Sequence, residues 1–308
     1  MKLSKSLPLI ALCAVAYAPT AASAAPTIKS YFEFKKPKMI TIPGDLSLDS
    51  GGASAPVSNV SSTYTLGFEG ISQYDGASFG RNFIPPDTMG AVGRTQYFET
   101  SNGAYAVFDK YTGQRLSLVS DVAFWNSVGQ AGANGDSRVM YNAAAGRWIA
   151  ISFGASTADI QIAISDTDDA LGSWQSTIFT GFAGGVADYP TLAMDTNAVY
   201  IGTNNFTSSF QGTTLNVIPL NSLFGNGAPS VTGMKQFSTA FPGTFEDRGF
   251  ALQGVNSTTA GSTGKVLAAS LFNYDSLGFT VNNLTSTDES GATLGAVNYL
   301  GQAAFQSP

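Results

Sequence analysis

The chain repeats one pattern along most of its length: an aspartate, a short strand-like stretch, a tight turn, and a second strand rich in aromatic or β-branched residues. Two clear copies begin at Asp136 and Asp188, and two weaker copies begin at Asp87 and Asp247. The starts lie about 50 to 60 residues apart, and a repeat of that length filled with short strands is typical of a β-propeller blade. We therefore expect an all-β fold, a β-propeller of short four-stranded antiparallel blades.

The four repeats extend almost to Pro308, and they predict about five blades or an incomplete larger ring. A propeller closes when the two ends of the domain complete one sheet, because this removes an exposed sheet edge. Two alternatives remain open at this point. Residues 66–71 supply a closing strand for a small ring, or the sequence is a truncated member of a longer family.

The first residues have the features of a secretory signal peptide at 1–24. Lys2 and Lys5 precede an apolar run at 7–17, and small residues lead up to a cleavage site near Ala24. The run is shorter than the roughly 20 apolar residues that a membrane span needs, so no transmembrane segment is expected. We predict a secreted protein, located extracellularly, at the cell surface or in the periplasm. Cys13, the only cysteine, is removed with this segment, so the mature chain has no disulfide.

The rest of the chain divides into two parts. Residues 25–65 are rich in Ser, Gly, Pro, Ala and Lys and are interpreted as a flexible leader or linker, whereas residues 66–308 carry the propeller repeats. The formal charge is −6, and it becomes −8 when Lys2 and Lys5 leave with the signal peptide. Such a balance does not suit nucleic acid or anionic membranes as partners.

The chain contains no histidine, which excludes Ser-His-Asp and Cys-His catalysis and metal binding by imidazole. Carboxylates are the groups that remain, and Asp87, Asp136, Asp188 and Glu246 are the candidates because equivalent positions of successive blades converge at one end of a propeller. Glycoside hydrolysis requires two carboxylates, one acting as acid and one as base or nucleophile, and it requires no histidine.

A structural role competes with catalysis for the same acids. Each could bind the backbone of the neighbouring blade or pair with Arg138 or Arg248, and the short spacing from Asp136 to Arg138 favours this interpretation. Geometry distinguishes the two. Carboxylates close together in an open cleft indicate an enzyme, whereas acids buried against arginine indicate a role in holding the blades together.

The stretch Ser165-Asp-Thr-Asp-Asp-Ala-Leu-Gly-Ser-Trp174 resembles the Asp-box of sialidase-like propellers and the corresponding turn of arabinanase-like glycosidases. The resemblance implies a structural role for Asp166, Asp168, Gly172 and Trp174, away from any active site. An aspartate would accept backbone N–H groups in the turn, Gly172 would have a positive φ, and Trp174 would be buried between sheets. A Ca²⁺ ion on the clustered carboxylates is the alternative, and no other cofactor is expected.

A wider stretch, from Pro85 to about Leu220, resembles a group of secreted bacterial β-propeller proteins that mostly have no assigned function. The resemblance rests on Pro85-Pro-Asp-Thr-Met-Gly-Ala-Val-Gly93, Asn102-Gly103, Asp136-Ser-Arg-Val-Met-Tyr141, Gly146-Arg-Trp148, Asp188-Tyr-Pro190 and Val199-Tyr-Ile201. Members of the group often end in a PEP-CTERM sorting tail, which this sequence does not show. The resemblance implies no catalytic residues.

Taken together, these features predict an extracellular binding or scaffold module whose partner is a polysaccharide or a cell-surface protein. The alternative is a carbohydrate-active enzyme, a glycoside hydrolase that uses the acids at the blade starts. A third possibility is a structural spacer in an extracellular matrix. Trp125, Tyr189 and Phe206 are the candidates for a ligand-binding surface, because they lie near the expected channel loops and aromatic rings stack on sugars.

Overall fold

The structure, a computed structural model, describes residues 66–133, 135–238, 249–261, 263–269 and 276–300. The predicted signal peptide at 1–24 and the leader at 25–65 lie outside the described residues. Glu246, the fourth candidate acid, and Asp247 also lie outside the described residues.

Four antiparallel sheets follow one another along the described chain, and in each the strands pair mainly in their order of occurrence. Sheet A comprises β1 (Met89–Val92), β2 (Gln96–Ser101), β3 (Ala104–Asp109) and β4 (Arg115–Ser120). Sheet B comprises β5 (Arg138–Asn142), β6 (Arg147–Phe153), β7 (Asp159–Ser165) and β8 (Trp174–Thr180). Sheet C comprises β9 (Val186–Asp188), β10 (Ala193–Met194), β11 (Ala198–Phe206), β12 (Phe210–Pro219) and β13 (Lys235–Ser238). Sheet D comprises β14 (Phe250–Gly254), β15 (Gly264–Ala269), β16 (Ser276–Asn282), β17 (Thr293–Leu294) and β18 (Asn298–Leu300).

Helices are short in the described part of the chain: α1 (Gln73–Ser78), α2 (Asp121–Ser127) and α3 (Leu220–Phe224). The first residues of α2 are held by Ser120, whose Oγ accepts the backbone N–H of Ala123 at 3.1 Å. None of these helices is long and apolar enough to cross a membrane. The all-β prediction is confirmed.

The central strands face two neighbouring sheets at once, because successive side chains of a strand point to opposite faces. In β6, Trp148 and Ala150 pack toward sheet A, whereas Ile149 and Ile151 pack toward sheet C. A third apolar cluster fills the space between sheets C and D, with Tyr200 at its centre. Antiparallel sheets of four or five strands that stack face to face in chain order are the blades of a β-propeller, as the repeat predicts.

The number of sheets follows the four repeat starts. About five blades are expected from the sequence, and four are present in the described residues. Residues 66–71, considered above as a closing strand, form no strand; instead the backbone N–H of Ile71 donates to Glu99 Oε2 at 3.0 Å. This segment therefore covers the buried carboxylate of Glu99 in place of completing a sheet.

The Asn102-Gly103 turn joins β2 and β3 as the sequence predicts, with Ser101 paired to Ala104. The expected turn requires positive φ at both central residues, but among the described non-glycine residues Asn102 is not one with positive φ, and only Gly103 has it, at 97°. The side chain of Asn102 is used for contacts between sheets, which are described below. The prediction of a hairpin is confirmed, and that of the turn type is wrong.

Candidate functional site

Each sheet begins next to a non-glycine residue in the left-handed region of backbone space. These residues are Asp87 (φ 44°), Asp136 (54°), Tyr189 (51°) and Ala251 (53°). Such a conformation is unfavourable for residues other than glycine and persists only where the surroundings hold it. The first strands of sheets A and B pack together, β1 against β5, whereas β14 packs mainly against β11. The sheet starts are therefore conformationally constrained points close to a neighbouring sheet.

Polar side chains hold three of these points by binding their backbone N–H groups. The N–H of Asp136 donates to Asn102 Oδ1 at 2.8 Å, and the N–H of Ala251 donates to Asn204 Oδ1 at 2.8 Å. The N–H of Tyr189 interacts with the carboxylates of both Asp136 and Asp188. Asn102, Asn204 and Asp136 each reach from the preceding sheet to the start of the next one, whereas Asp188 binds within its own sheet. The bonds between sheets fix the order and spacing of the sheets.

Three of the predicted acids come together here: Asp87, Asp136 and Asp188, called the acid cluster below. The pKa of Asp136 is raised to about 6. Burial is the largest cause, and the negative charges of Asp188 and Asp87 contribute to the same rise. The positive charge of Arg138 and the N–H of Tyr189 act in the opposite direction. A carboxyl that is half protonated near pH 6 can donate a proton close to neutral pH.

The other two members of the acid cluster differ in their partners. Burial raises the pKa of Asp188, the N–H of Tyr189 opposes this, and the charge of Asp87 adds to it. The carboxylate of Asp87 accepts a hydrogen bond from Asn102 Nδ2 at 2.7 Å. All three acids are half-buried and remain in part accessible to solvent. None of the three carboxylates is therefore sealed completely from water.

Arg138 does not take the role that the sequence suggests. Its Nε donates to the carbonyl of Pro190 at 3.1 Å, and its guanidinium lies over the ring of Tyr189. Among the described residues no ion pair includes Asp136; the ion pairs there join Arg81 to Asp121, Arg94 to Asp168, and Arg115 to Asp75. The predicted pairing with arginine is therefore wrong for Asp136, whereas the predicted bond to a neighbouring blade's backbone is present. Arg248 lies outside the described residues.

The three aromatic candidates have different positions. Tyr189 follows Asp188 directly and is 40% exposed, so its ring is available beside the acid cluster. Phe206 lies at the same end of sheet C, two residues beyond Asn204, with its ring 5.2 Å from that of Phe210. Trp125 is fully buried in α2 and donates from Nε1 to the hydroxyl of Tyr105 at 2.9 Å. The prediction that Trp125 binds a ligand is wrong, because α2 places its side chain between sheets A and B.

The Asp-box-like stretch forms the turn between β7 and β8, with Ser165 paired to Trp174. Gly172 does not have a positive φ, so that prediction is wrong. The aspartate that binds a backbone N–H within the turn is Asp169, which accepts from Leu171 at 2.9 Å. The carboxylate of Asp166 instead accepts from the side chain of Gln175 at 2.7 Å. The turn is therefore built differently from the one that the resemblance implies.

Trp174 is half-buried and not enclosed between sheets as expected. It donates from Nε1 to the carbonyl of Ala170 at 3.0 Å and borders a cavity of about 210 Å³ between sheets A and B. The carboxylate of Asp168 lies 3.8 Å from Arg94, with both side chains largely exposed. In the described part of the chain no three acidic side chains are arranged to hold a metal ion. This leaves the Ca²⁺ alternative without support at Asp166 and Asp168.

Two asparagines at the site, Asn102 and Asn204, are absent from the sequence-based candidates. Their common feature is position: Asn102 directly follows β2, Asn204 lies toward the end of β11, and each binds the start of the next sheet. An asparagine recurring at the same place in the repeat is a signal that could have indicated them. The acids are candidates because of their chemistry, whereas the two amides act by hydrogen bonding to the backbone of the next sheet.

No family model matches the sequence, and a search of curated proteins finds no match. Solved structures give distant similarities. One is a Synechocystis apocarotenoid oxygenase variant, with a TM-score of 0.41 and 12% identity over 69% of this chain and 48% of that one. Another is an exo-β-1,3-galactanase from Phanerochaete chrysosporium, with a TM-score of 0.38 and 10% identity over 71% and 50%. A GH43 endo-arabinanase from Bacillus licheniformis has a TM-score of 0.36 and 14% identity over 71% and 80%.

The match spans about half the length of the oxygenase and of the exo-β-1,3-galactanase. The similarity is to β-propeller proteins of different activities, at identities too low to transfer an activity. The fold assignment therefore rests on the sheet topology described above, and the chemistry has to be argued from the acid cluster itself.

Proposed function

We propose that the chain is a carbohydrate-active hydrolase whose acid cluster cleaves a glycosidic bond. The observation that carries this proposal is the state of Asp136, a half-buried carboxyl with a pKa of about 6 beside two other carboxyls. Glycoside hydrolysis needs one carboxyl that is still protonated near neutral pH and a second that is ionised. Burial and the neighbouring negative charges supply the first of these in Asp136.

The proposed reaction uses only groups of this chain, a glycoside and water. Asp136 donates its proton to the leaving glycosidic oxygen as the bond between that oxygen and the anomeric carbon breaks. A neighbouring ionised carboxylate, Asp87 or Asp188, takes a proton from the attacking water or attacks the carbon directly. Asp136 is not tied into an ion pair with Arg138, which supports its availability for proton transfer.

Tyr189 supports a sugar as the ligand. Its ring is 40% exposed next to the acid cluster, and an aromatic face of this kind stacks on the apolar face of a sugar ring. The same observation favours a second candidate function, a module that binds polysaccharide without cleaving it, which is the primary prediction from the sequence. The two functions share the site and differ in whether the acids hydrolyse the bound ligand.

The deciding experiment measures both binding and hydrolysis with the mature protein. Aryl glycosides and a panel of neutral polysaccharides are assayed for release of the leaving group or of reducing ends, with Asp136→Asn as the test variant and Asp166→Asn as the control. Hydrolysis by the parent should fall by at least about 10²-fold in Asp136→Asn and stay unchanged in Asp166→Asn. Binding of a polysaccharide without any hydrolysis by the parent would replace the proposed function with the binding module.

Export is proposed from the sequence alone. The basic, apolar and small-residue pattern at 1–24, together with the resemblance to secreted bacterial propellers, supports a function outside the cytoplasm, where polysaccharide is the accessible substrate. N-terminal sequencing of protein recovered from the culture medium, the cell surface or the periplasm checks this. The expected mature chain begins at Ala25, and an uncleaved chain in the cytoplasm would contradict the proposal.

A further inference from the structure

Sheets A and C carry the same arrangement of an asparagine and an aspartate, but only one of the two pairs is closed. In sheet A, Asn102 uses Oδ1 to bind the N–H of Asp136 and Nδ2 to bind the carboxylate of Asp87. In sheet C, Asn204 uses Oδ1 to bind the N–H of Ala251. Its Nδ2, however, has no hydrogen-bond partner, although Asn204 is 1% exposed.

The acid that corresponds to Asp87 in sheet C is Asp188. Asp188 in β9 is the direct cross-strand partner of Asn204 in β11, so their side chains lie on the same face of the sheet. Among the described residues the carboxylate of Asp188 has no side-chain hydrogen-bond donor, and the one hydrogen bond that it accepts there comes from the N–H of Tyr189. The Nδ2 donor of Asn204 and the carboxylate of Asp188 are thus neighbours at the acid cluster but are not hydrogen-bonded to each other.

An unsatisfied buried donor is costly, because the group has lost its hydrogen bonds to water and gained none in return. Such a group is tolerated where a ligand or an ordered water completes it. A sugar hydroxyl suits this place because its oxygen can accept from Asn204 Nδ2 while its O–H donates to the carboxylate of Asp188. A single hydroxyl would then close in sheet C the pair that is closed directly in sheet A.

We propose that Asn204 and Asp188 form a subsite that binds one hydroxyl group of a neutral sugar. The inference rests on the proposed function for its substrate class. It assigns a different role to each carboxylate of the acid cluster. Asp188 holds the substrate, Asp136 provides the proton, and Asp87, held by Asn102, is left as the base or nucleophile. The subsite would make the sugar hydroxyl at this position a requirement for binding.

The test compares sugars with and without single hydroxyl groups. Methyl glycosides of galactose, arabinose, xylose and glucose, and their monodeoxy analogues, are titrated by calorimetry against the full chain carrying Asp136→Asn, which keeps the ligand intact. One deoxy analogue should bind about tenfold more weakly than its parent sugar. In the same background Asn204→Ala should weaken binding of the parent sugar by about tenfold and abolish the difference between parent sugar and analogue.

A matched variant separates recognition from folding. Asn102→Ala removes the same kind of bond to the next sheet, so both alanine variants should lower the melting temperature, but Asn102→Ala should keep the discrimination against the deoxy analogue. Asn204→Asp keeps an oxygen for Ala251 and loses the Nδ2 donor. It therefore remains informative if Asn204→Ala does not fold.

Each outcome decides the inference. Discrimination lost in both Asn204 variants and retained in Asn102→Ala supports the subsite, even if the parent chain shows no hydrolysis and the proposed function fails. Equal discrimination in parent and Asn204 variants, or no binding of any sugar in the panel, overturns the subsite. A water molecule between Asn204 and Asp188 that stays in place in a crystal soaked with the tightest-binding sugar overturns it as well.

Discussion

The guanidinium of Arg138 lies over the ring of Tyr189, 4.7 Å from its centroid. Arg138 is itself held by the carbonyl of Pro190, the residue that follows Tyr189. The ring is therefore held against Arg138, and Tyr189 remains 40% exposed beside the acid cluster. A fixed aromatic face loses little freedom when a ligand stacks on it, which makes Tyr189 a preorganised contact.

Replacing Tyr189 by alanine should weaken binding of a neutral sugar by about tenfold, because the stacking face is lost. Tyr189→Phe should keep most of the affinity, since the ring remains. The melting temperature should change little in either case, as the ring is 40% exposed. Calorimetric titration of the same sugar measures the effect, with Tyr74→Ala as the control because Tyr74 in α1 is 77% exposed. Equal affinity in Tyr189→Ala and Tyr74→Ala would remove Tyr189 from the site.

Stability should decrease as the pH rises from about 4 to about 6. The pKa of Asp136 is raised from 3.8 in a free chain to about 6 in the fold, so in this window the unfolded chain loses a proton that the folded chain keeps. The contribution of Asp136 to stability is thus fully present below the unfolded pKa and is lost as the folded carboxyl is forced to ionise. Because the site is partly exposed, we expect a loss of about 1 to 2 kcal/mol.

Asp136→Asn tests this directly because the amide cannot ionise. Its free energy of unfolding should equal that of the parent near pH 4 and exceed it by about 1 to 2 kcal/mol at pH 7. Urea unfolding at both pH values gives the difference. A variant less stable than the parent at pH 7 would mean that the charged form of Asp136 contributes to the fold.

The ion pair between Arg81 and Asp121 should be the most sensitive to substitution. Arg81 Nε lies 2.6 Å from Asp121 Oδ1, and Asp121 is 1% exposed and also binds the N–H of Gly103. Removing one partner leaves the other charged and buried, so Arg81→Met should cost about 3 kcal/mol of stability. Arg94→Met, which removes the exposed pair with Asp168, should cost less than about 1 kcal/mol. Similar losses in the two variants, measured by chemical denaturation, would contradict the difference in burial.

The tryptophans should separate by burial in the same way. Trp125 is fully buried, and Trp125→Ala should cost about 3 to 5 kcal/mol. Trp174 is half-buried beside an existing cavity, so Trp174→Ala removes fewer contacts and should cost about 2 kcal/mol. Thermal melts of both variants check the order. A larger loss for Trp174 would show that the cavity is closed in solution.

The fold was predictable because its pattern is local and repeated. Alternating residues such as Trp148 and Ile149 reveal a strand with two buried faces, and the recurring aspartates mark where each sheet begins. The convergence of Asp87, Asp136 and Asp188 followed from that repeat. Their partners did not, because closeness in sequence does not make an ion pair: Arg138 directs its guanidinium to Tyr189 and Pro190 and acts on Asp136 only through its charge.

What the sequence could not provide were contacts between separate sheets. Asn204 reaches Ala251, and Asn102 reaches Asp136, across distances in the chain at which no local pattern operates. Trp125 misled for a related reason. The sequence predicts that Trp125 lies near the channel loops, yet the short helix α2 turns its ring inward to the hydroxyl of Tyr105.

The two faces of the central strands also affect how the chain is made. Trp148 belongs to the cluster shared with sheet A, and Ile149, its neighbour, belongs to the cluster shared with sheet C. A chain synthesised from its N-terminus can therefore bury one face of sheet B while the other waits for sheet C to emerge. Each newly formed blade presents an uncovered apolar wall until its successor arrives, and such a wall attracts chaperones or other nascent chains. Pauses in translation between blades should consequently favour aggregation of this protein more than pauses within one.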